Sequence, residues 1–312
     1  MKAFKNLKGS LILALAALIW GLAFVAQSDA ADKIPPFLVN GIRSLIGAAA
    51  LFLLLWWQCA RTRQPLFSKD PQTLRKTLVG GIVCGLLITV SCNLQQVGLS
   101  LYPNGVASEA RAGFLTALYV ILVPLISVFM GKRPRLTLVG AILISTGGIY
   151  LLCLSGGIDA IYLGDVLIFL CAISFSWHII AIDHYVDTVG GVRLSMLQFL
   201  VCGILSSLLS LFFEGHDVVF SNLLSAAPQL LYLGLGSTGI AYTLQIIAQR
   251  EGDPTKVSIL LSLESLFAVV CSAILLGERM SGQEYVGCAL MMVAVIFSQI
   301  PEKQKVEEKH AD

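Results

Sequence analysis

Apolar residues fall in runs of about twenty, separated by short polar stretches, ten times along the chain. Each run is long enough to cross ~30 Å of hydrocarbon at ~1.5 Å per residue. The pattern predicts helices over residues 10–28, 36–57, 77–98, 106–129, 136–154, 161–182, 191–213, 227–248, 254–276 and 282–300. Connections are short and rich in turn formers, as in Tyr102-Pro103-Asn104-Gly105 and Glu251-Gly252-Asp253-Pro254. No stretch reads as a soluble domain, and residues 302–312 form a polar tail. The expected class is an all-α integral membrane protein with ten transmembrane helices.

Composition agrees. Of 312 residues, 56% are apolar and 13% charged, and the mean hydropathy is +0.83. A soluble protein of this length needs more charge to cover its surface. The net charge of +2 gives no reason to expect a nucleic-acid partner. The eight cysteines lie mostly in apolar runs without a CxxC pair, and read as small buried hydrophobes. The first thirty residues imitate a secretory leader. Their apolar part, from Ser10 to about Val25, is long for one, so a retained first span is expected.

Positive charge orients the chain. With a cytoplasmic N-terminus, seventeen of the 21 Lys and Arg fall on inside segments, among them Lys2, Arg61, Arg75, Arg133 and Lys303. The outside loops carry Lys33 and Arg279, and Arg43 and Arg111 fall within spans. Both termini are expected in the cytoplasm, and the chain in an inner membrane.

The two halves resemble each other. Trp20 and Trp177 occupy matching positions in the first and sixth helices. Gly81, Gly85, Thr89 and Gln96 line one face of the third helix, with Asn93 beside them. Shifted by 153 they become Gly234, Thr238, Tyr242 and Gln249 of the eighth, with Gln245 beside them. The segment Gly131–Gly140 parallels Gly277–Gly287. Five helices is an odd number, so the second copy enters the membrane from the opposite side. The expected units are residues 1–155, 156–301 and the tail 302–312. Inverted repeats of this kind typify secondary transporters, with the substrate site near the midplane.

Several segments carry a family resemblance: LIWGLAFVA (18–26), GIRSLIGAAALFLLL (41–55), ARAGFLTALYVILVPLISVFMGKRP (110–134), LGLGSTGIAYTLQIIAQ (233–249) and LLGERMSGQEYVG (275–287). Together they resemble the drug/metabolite transporter superfamily, in its EamA-type ten-helix families, over almost the whole chain. Leu263-Glu264-Ser265 stands where the family often has Leu-Glu-Pro, and Gly131-Lys132 where it often has Gly-Glu. The resemblance implies transport of amino acids, metabolites or drugs. It also implies a cavity role for Arg43, whose position matches a recurring pattern.

Candidate residues follow from depth. Glu264 lies ten residues past Pro254, about 15 Å into its helix, where a charge costs ~3 kcal/mol on insertion scales. It reads as a proton site, an anchor for a substrate amine, or a protonated packing residue. Arg43, about 10 Å into the second helix, keeps its charge and needs an anion, a carbonyl, water or an interfacial escape. Arg111 and Glu109 open the fourth helix: Arg111 reads as a substrate contact or an ordinary outer-interface residue, and Glu109 as a substrate contact or a partner of the helix dipole. Asn93, Gln96, Tyr242, Gln245 and Gln249 are expected on a cavity wall or rim, with Trp20 and Trp177 as aromatic walls. His178 reads as an interfacial residue near the end of the sixth helix, and Tyr119 as core. Gly234–Gly239 fits G-x-G-x-x-G, but without a strand before it reads as close helix packing.

No P-loop, HExxH, catalytic triad or zinc spacing occurs in the sequence. No catalytic residue, metal or cofactor is therefore expected. The reading is a secondary transporter working by alternating access, with export and proton coupling as finer expectations. Its partners are a small-molecule cargo, an amino acid for instance, and the bilayer. Homodimerisation stays open. A membrane-embedded enzyme and a receptor or interaction bundle are the alternatives.

Overall fold

The computed structural model describes residues 2–103, 108–131, 136–153, 161–215, 220–250, 253–276 and 281–298. Ten apolar helical passages order the described residues. They are α1 (Lys2–Ala31), α2 (Pro36–Thr62), α3 (Pro71–Ser100), α4 in two segments (Ser108–Ala117 and Tyr119–Phe129) and α5 (Leu136–Cys153). Then follow α6 (Leu163–Val189), α7 (Gly191–Phe213), α8 (Ala227–Gln249), α9 in two segments (Pro254–Leu261 and Leu263–Leu276) and α10 (Gly282–Ser298). A short helix, Phe220–Ser225, precedes α8. Eight of the passages are long and apolar enough to cross a membrane, while Leu136–Leu151 and Tyr285–Ser298 are shorter apolar helices beside residues not described. The chain is a multi-pass membrane protein. Its outer flank carries large apolar side chains such as Leu53, Trp56, Leu143 and Leu211, which hydrocarbon solvates and water does not.

Helix starts follow capping chemistry. Asp70 accepts from Thr73 N at 2.8 Å, ahead of Pro71. Asp253 accepts from Thr255 N at 2.9 Å, ahead of Pro254. The start of α2 is capped from the other half: the buried Glu214 carboxylate, just past α7, accepts Phe37 N at 2.8 Å and Leu38 N at 3.0 Å. That arrangement satisfies two orphan donors and places negative charge at a positive helix end.

The halves pack with their roles exchanged. Where α3 packs on α6 and α7, α8 packs on α1 and α2; where α4 meets α6, α9 meets α1. The pairs α2 with α7 and α5 with α10 exchange into themselves. This is a pseudo-two-fold arrangement of two five-helix repeats, and the odd count inverts the second. The sequence shift of 153 shows in the packing too. A Cβ at Gly81 would lie 2.6 Å from Leu197 Cβ of α7, and one at Gly234 would lie 2.7 Å from Ile46 Cβ of α2. The glycine faces of α3 and α8 are therefore seams between the halves, and Gly234–Gly239 serves close helix packing.

Four features depart from the sequence pattern. The third helix starts at Pro71, earlier than residue 77, and α6 runs on to Val189, well past residue 182. Within α8, residues Tyr232–Ala241 form a π-helix, a form rare outside functional or strained sites. The fourth and ninth helices are each interrupted, at Leu118 and Ser262, where Leu118 N bonds Leu115 O at 3.3 Å and Ser265 N bonds Ser262 O at 3.2 Å. The inter-repeat junction 154–160, residues 132–135 and 277–280 of the two parallel junctions, and the tail 302–312 lie outside the described residues.

A methyl group at Gly47 would meet Thr238 Cγ2 at 2.6 Å and Gly234 O at 2.9 Å. Gly47→Ala therefore forces α2 away from α8, at a cost of about 1–3 kcal/mol. A lowered thermal midpoint in detergent is expected, and an unchanged midpoint would contradict so close a contact.

Candidate functional site

Between the halves lies a narrow cavity of about 40 Å³. It is built on α1, α2, α3, α4, α6, α8 and α9. Both helix interruptions border it: Thr116 and Tyr119 flank the break in α4, and Leu261 and Glu264 flank the break in α9. Both are single tightened turns that keep helical backbone angles, and each repeat brings one to the cavity.

Two charged groups line the cavity. Arg43 is 3% exposed and Glu264 is 5% exposed. Arg43 Nη1 donates to Gln27 Oε1 at 3.1 Å, and among the described residues no carboxylate pairs with it. Four of its five donor positions are left for other partners. Glu264 Oε1 accepts from Tyr119 OH at 2.8 Å, a bond that ties the two broken helices together across the repeats. A buried guanidinium and a buried carboxyl in one cavity can hold the two ends of a dipolar solute, or can move a proton at the carboxyl.

The remaining lining is aromatic and amide-rich. Trp20 stacks near Tyr242, with ring centroids 4.5 Å apart, and its Nε1 donates to Ser237 O in the π-helical turn at 3.3 Å. Gln95 Nε2 donates to Thr116 Oγ1 at 3.1 Å. Gln245 Nε2 reaches Gln249 Oε1 at 3.4 Å, whereas Gln245 Oε1 has no partner among the described residues. An orphaned buried amide oxygen on a cavity wall is a ready acceptor.

Of the residues singled out by sequence, Glu264, Arg43, Trp20, Tyr242 and Gln245 meet at this cavity. Others do not. Trp177 is 44% exposed on the outer flank, because consecutive helical residues are ~100° apart and His178 takes the inward position. Asn93 sits in a knot between helices, accepting from Asn40 Nδ2 at 2.9 Å and donating to Ser206 Oγ at 2.8 Å. Gln96 is buried and donates to Gln27 O at 3.1 Å, which fixes α3 to α1. Gln249 is buried behind Gln245 and donates to Ile179 O.

Arg111 lies away from the cavity, in a cluster that joins the halves. Its Nη2 and Nε reach Asp165 Oδ2 and Oδ1 at 2.6 and 3.1 Å. Tyr102 OH donates to Asp165 Oδ1 at 2.7 Å, Tyr162 N donates to Oδ2 at 2.9 Å, and the Tyr162 ring lies 5.1 Å under the guanidinium. Burial pushes the Tyr102 phenol up and the Asp165 carboxylate pushes it further, so it stays a donor. The side chain of Glu109 lies outside the described residues.

Sequence reasoning undervalued four residues of the lining. His178, expected at an interface, is 1% exposed on the cavity wall and bonds Gln198 Oε1 at 3.0 Å. The helix runs to Val189, so His178 is well inside it. Tyr119, expected as core, is Glu264's partner. Gln27 and Gln95 were masked by the polar look of Ala26–Ala31 and by the glutamine pair at 95–96. An unbroken helical phase carried through Ala31 would have put Gln27 two turns beyond Trp20, on the same face.

Tyr119→Phe leaves a buried carboxyl without its donor, at about 1–3 kcal/mol. In a cycle with Glu264→Gln the two losses should be less than additive in detergent unfolding. Strict additivity would mean that the bond carries no stability.

Comparison with known proteins places the chain. The model of the EamA-like transporter family matches residues 7–154 and again 162–299. An uncharacterized transporter of Archaeoglobus fulgidus is 30% identical over 302 residues, covering 94% of this chain and 86% of that protein. A Salmonella typhimurium protein named a probable amino-acid metabolite efflux pump is 26% identical, covering 93% of this chain and 94% of its own. One solved crystal structure superposes with a TM-score of 0.72 at 24% identity, covering 93% and 96% of the two chains, and shares the fold. Two successive family matches on two exchanged five-helix halves leave one conclusion: the chain belongs to the EamA-like transporter family, a family of membrane transporters.

Proposed function

We propose that the protein is an inner-membrane exporter of a small dipolar metabolite, an amino acid being the representative cargo, that works by alternating access. The observation that carries this reading is the pairing, in one cavity between inverted halves, of buried Arg43 and buried Glu264. A cargo carboxylate would meet the free donors of Arg43, and its amine would meet Glu264 and the orphan Gln245 Oε1. Trp20, Phe24, Phe175 and Tyr242 supply apolar wall for the remainder. The name of the Salmonella relative, an amino-acid metabolite efflux pump, supports both cargo class and direction. The charge distribution along the sequence supports cytoplasmic termini.

Glu264 is the proposed coupling group. It lies mid-helix, near the bilayer centre, with Tyr119 as its side-chain partner. Proton binding would alternate with binding of the cargo amine, so that one leaves as the other arrives.

Purified protein in liposomes tests this with a labelled amino-acid mixture and an imposed pH gradient. Gradient-driven flux is expected, and Glu264→Gln should abolish its dependence on the gradient while exchange persists. Arg43→Gln should weaken cargo binding by about tenfold or more, as loss of a charge-assisted bond of ~1.5–3 kcal/mol requires. Absence of flux for every amino acid, with wild-type folding intact, would refute the cargo assignment.

A further inference from the structure

Resting on the transport reading, we propose that Arg111 and Asp165 are the latch of the gate on the membrane face where α4 and α6 begin. That face is the extracytoplasmic one under the charge-based orientation. The cavity is sealed toward it in layers.

The first layer is apolar. Phe24, a cavity-lining residue of α1, packs with Leu99 of α3, Ala112 of α4, Ile168 of α6 and Ala268 of α9. All five are 6% exposed or less. They come from both halves, so the plug exists only while the halves are closed together here.

The second layer is a backbone contact. A Cβ at Gly164 would lie 2.6 Å from Gly98 O, and a Cβ at Gly98 would lie 2.7 Å from Ile168 Cγ1. The end of α3 and the start of α6 approach so closely that neither glycine could carry a side chain, and Ile168 and Tyr102 pack over the contact.

The latch caps these layers. Arg111 belongs to the first half and Asp165 to the second. Their side chains are only 13% and 10% exposed, and the bond is two-pronged. Tyr102 from the end of α3 and the backbone of Tyr162 complete the coordination of Asp165. No residue of the cavity that holds Arg43 and Glu264 takes part; Arg111 and Asp165 line a separate, mostly apolar pocket of about 300 Å³ between α4 and α6. The cluster's effect is on the closed state of this face: its four polar contacts all cross or brace the seam between halves. Solute passing from the cavity to this face must separate α4 from α6, and with them this ion pair.

Breaking the pair removes its two-pronged bond across the seam and favours the conformation in which this face is open. The geometry therefore makes the pair a control on the balance of the two access states, separate from cargo binding.

The test needs no cargo. Ser237 lines the cavity, and Ser237→Cys places a reporter thiol there. Full-length protein is reconstituted in one orientation, and a membrane-impermeant maleimide is added to one face at a time. Labelling is read at position 237 by mass spectrometry, which separates it from the native cysteines. Arg111→Gln and Asp165→Asn are each expected to speed labelling from the α4/α6 face by about tenfold, within the usual range of conformational coupling. Labelling from the opposite face should slow or stay the same. The exchanged pair, Arg111→Asp with Asp165→Arg, should restore slow labelling from the α4/α6 face. Unchanged rates from that face in both single variants would overturn the latch. A rise of equal size from both faces would overturn it as well, since it reports loosening without sidedness. Gated labelling without any amino-acid flux in liposomes would remove the cargo reading and leave the latch standing.

Discussion

A polar group surrounded by hydrocarbon must find its partner inside the protein, and this molecule is arranged around that demand. Glu214 answers the bare amides at the start of α2. Asn40, Asn93 and Ser206 answer one another among α2, α3 and α7. Near the turns in α4 and α9, Ser265 Oγ donates to Gly113 O at 2.9 Å, Ser262 Oγ donates to Ile259 O at 2.8 Å, and Ser145 lies 3.2 Å from Ser262. Every one of these bonds except that of Ser262 on its own helix joins separate helices. Satisfying the backbone and holding the bundle together are the same act.

Against that background the incompletely satisfied groups stand out. Arg43 uses one of its donors, Gln245 Oε1 uses none of its capacity, and Glu264 leans on a single tyrosine. They share a cavity. Asn93, Gln96 and Arg111 lie in seams, where Gln96 Oε1 and the Asn40 Oδ1 beside Asn93 are also buried without a partner among the described residues. Polarity in a membrane helix thus divides into structural and available kinds, and the division follows position on the cavity wall, not residue type.

That division explains what the sequence could and could not disclose. Ten helical passages and two repeats depend on composition and periodicity, both local and both legible. The exchanged glycine faces of α3 and α8 were visible as a repeat, but their use was not: a small-residue stripe looks the same beside a cavity and beside a helix. Trp177 and His178 illustrate the limit more sharply. They are adjacent, one faces lipid and the other the interior, and only the phase of α6 over its full length decides which. The breaks at Leu118 and Ser262 leave no mark in the pattern, since Leu and Ser are ordinary helical residues. Tyr119 gained its meaning only when the fold brought it to Glu264 from 145 residues away.

The interruptions in α4 and α9 match in place but differ in chemistry. Two residues past the first stands Val120, and two past the second stands Glu264. Pro124 stiffens the first helix after its break, and nothing of the kind follows in the second. The mirror is imperfect: the second repeat carries a carboxyl group where the first carries an aliphatic side chain, so the two halves present unlike surfaces to the space between them.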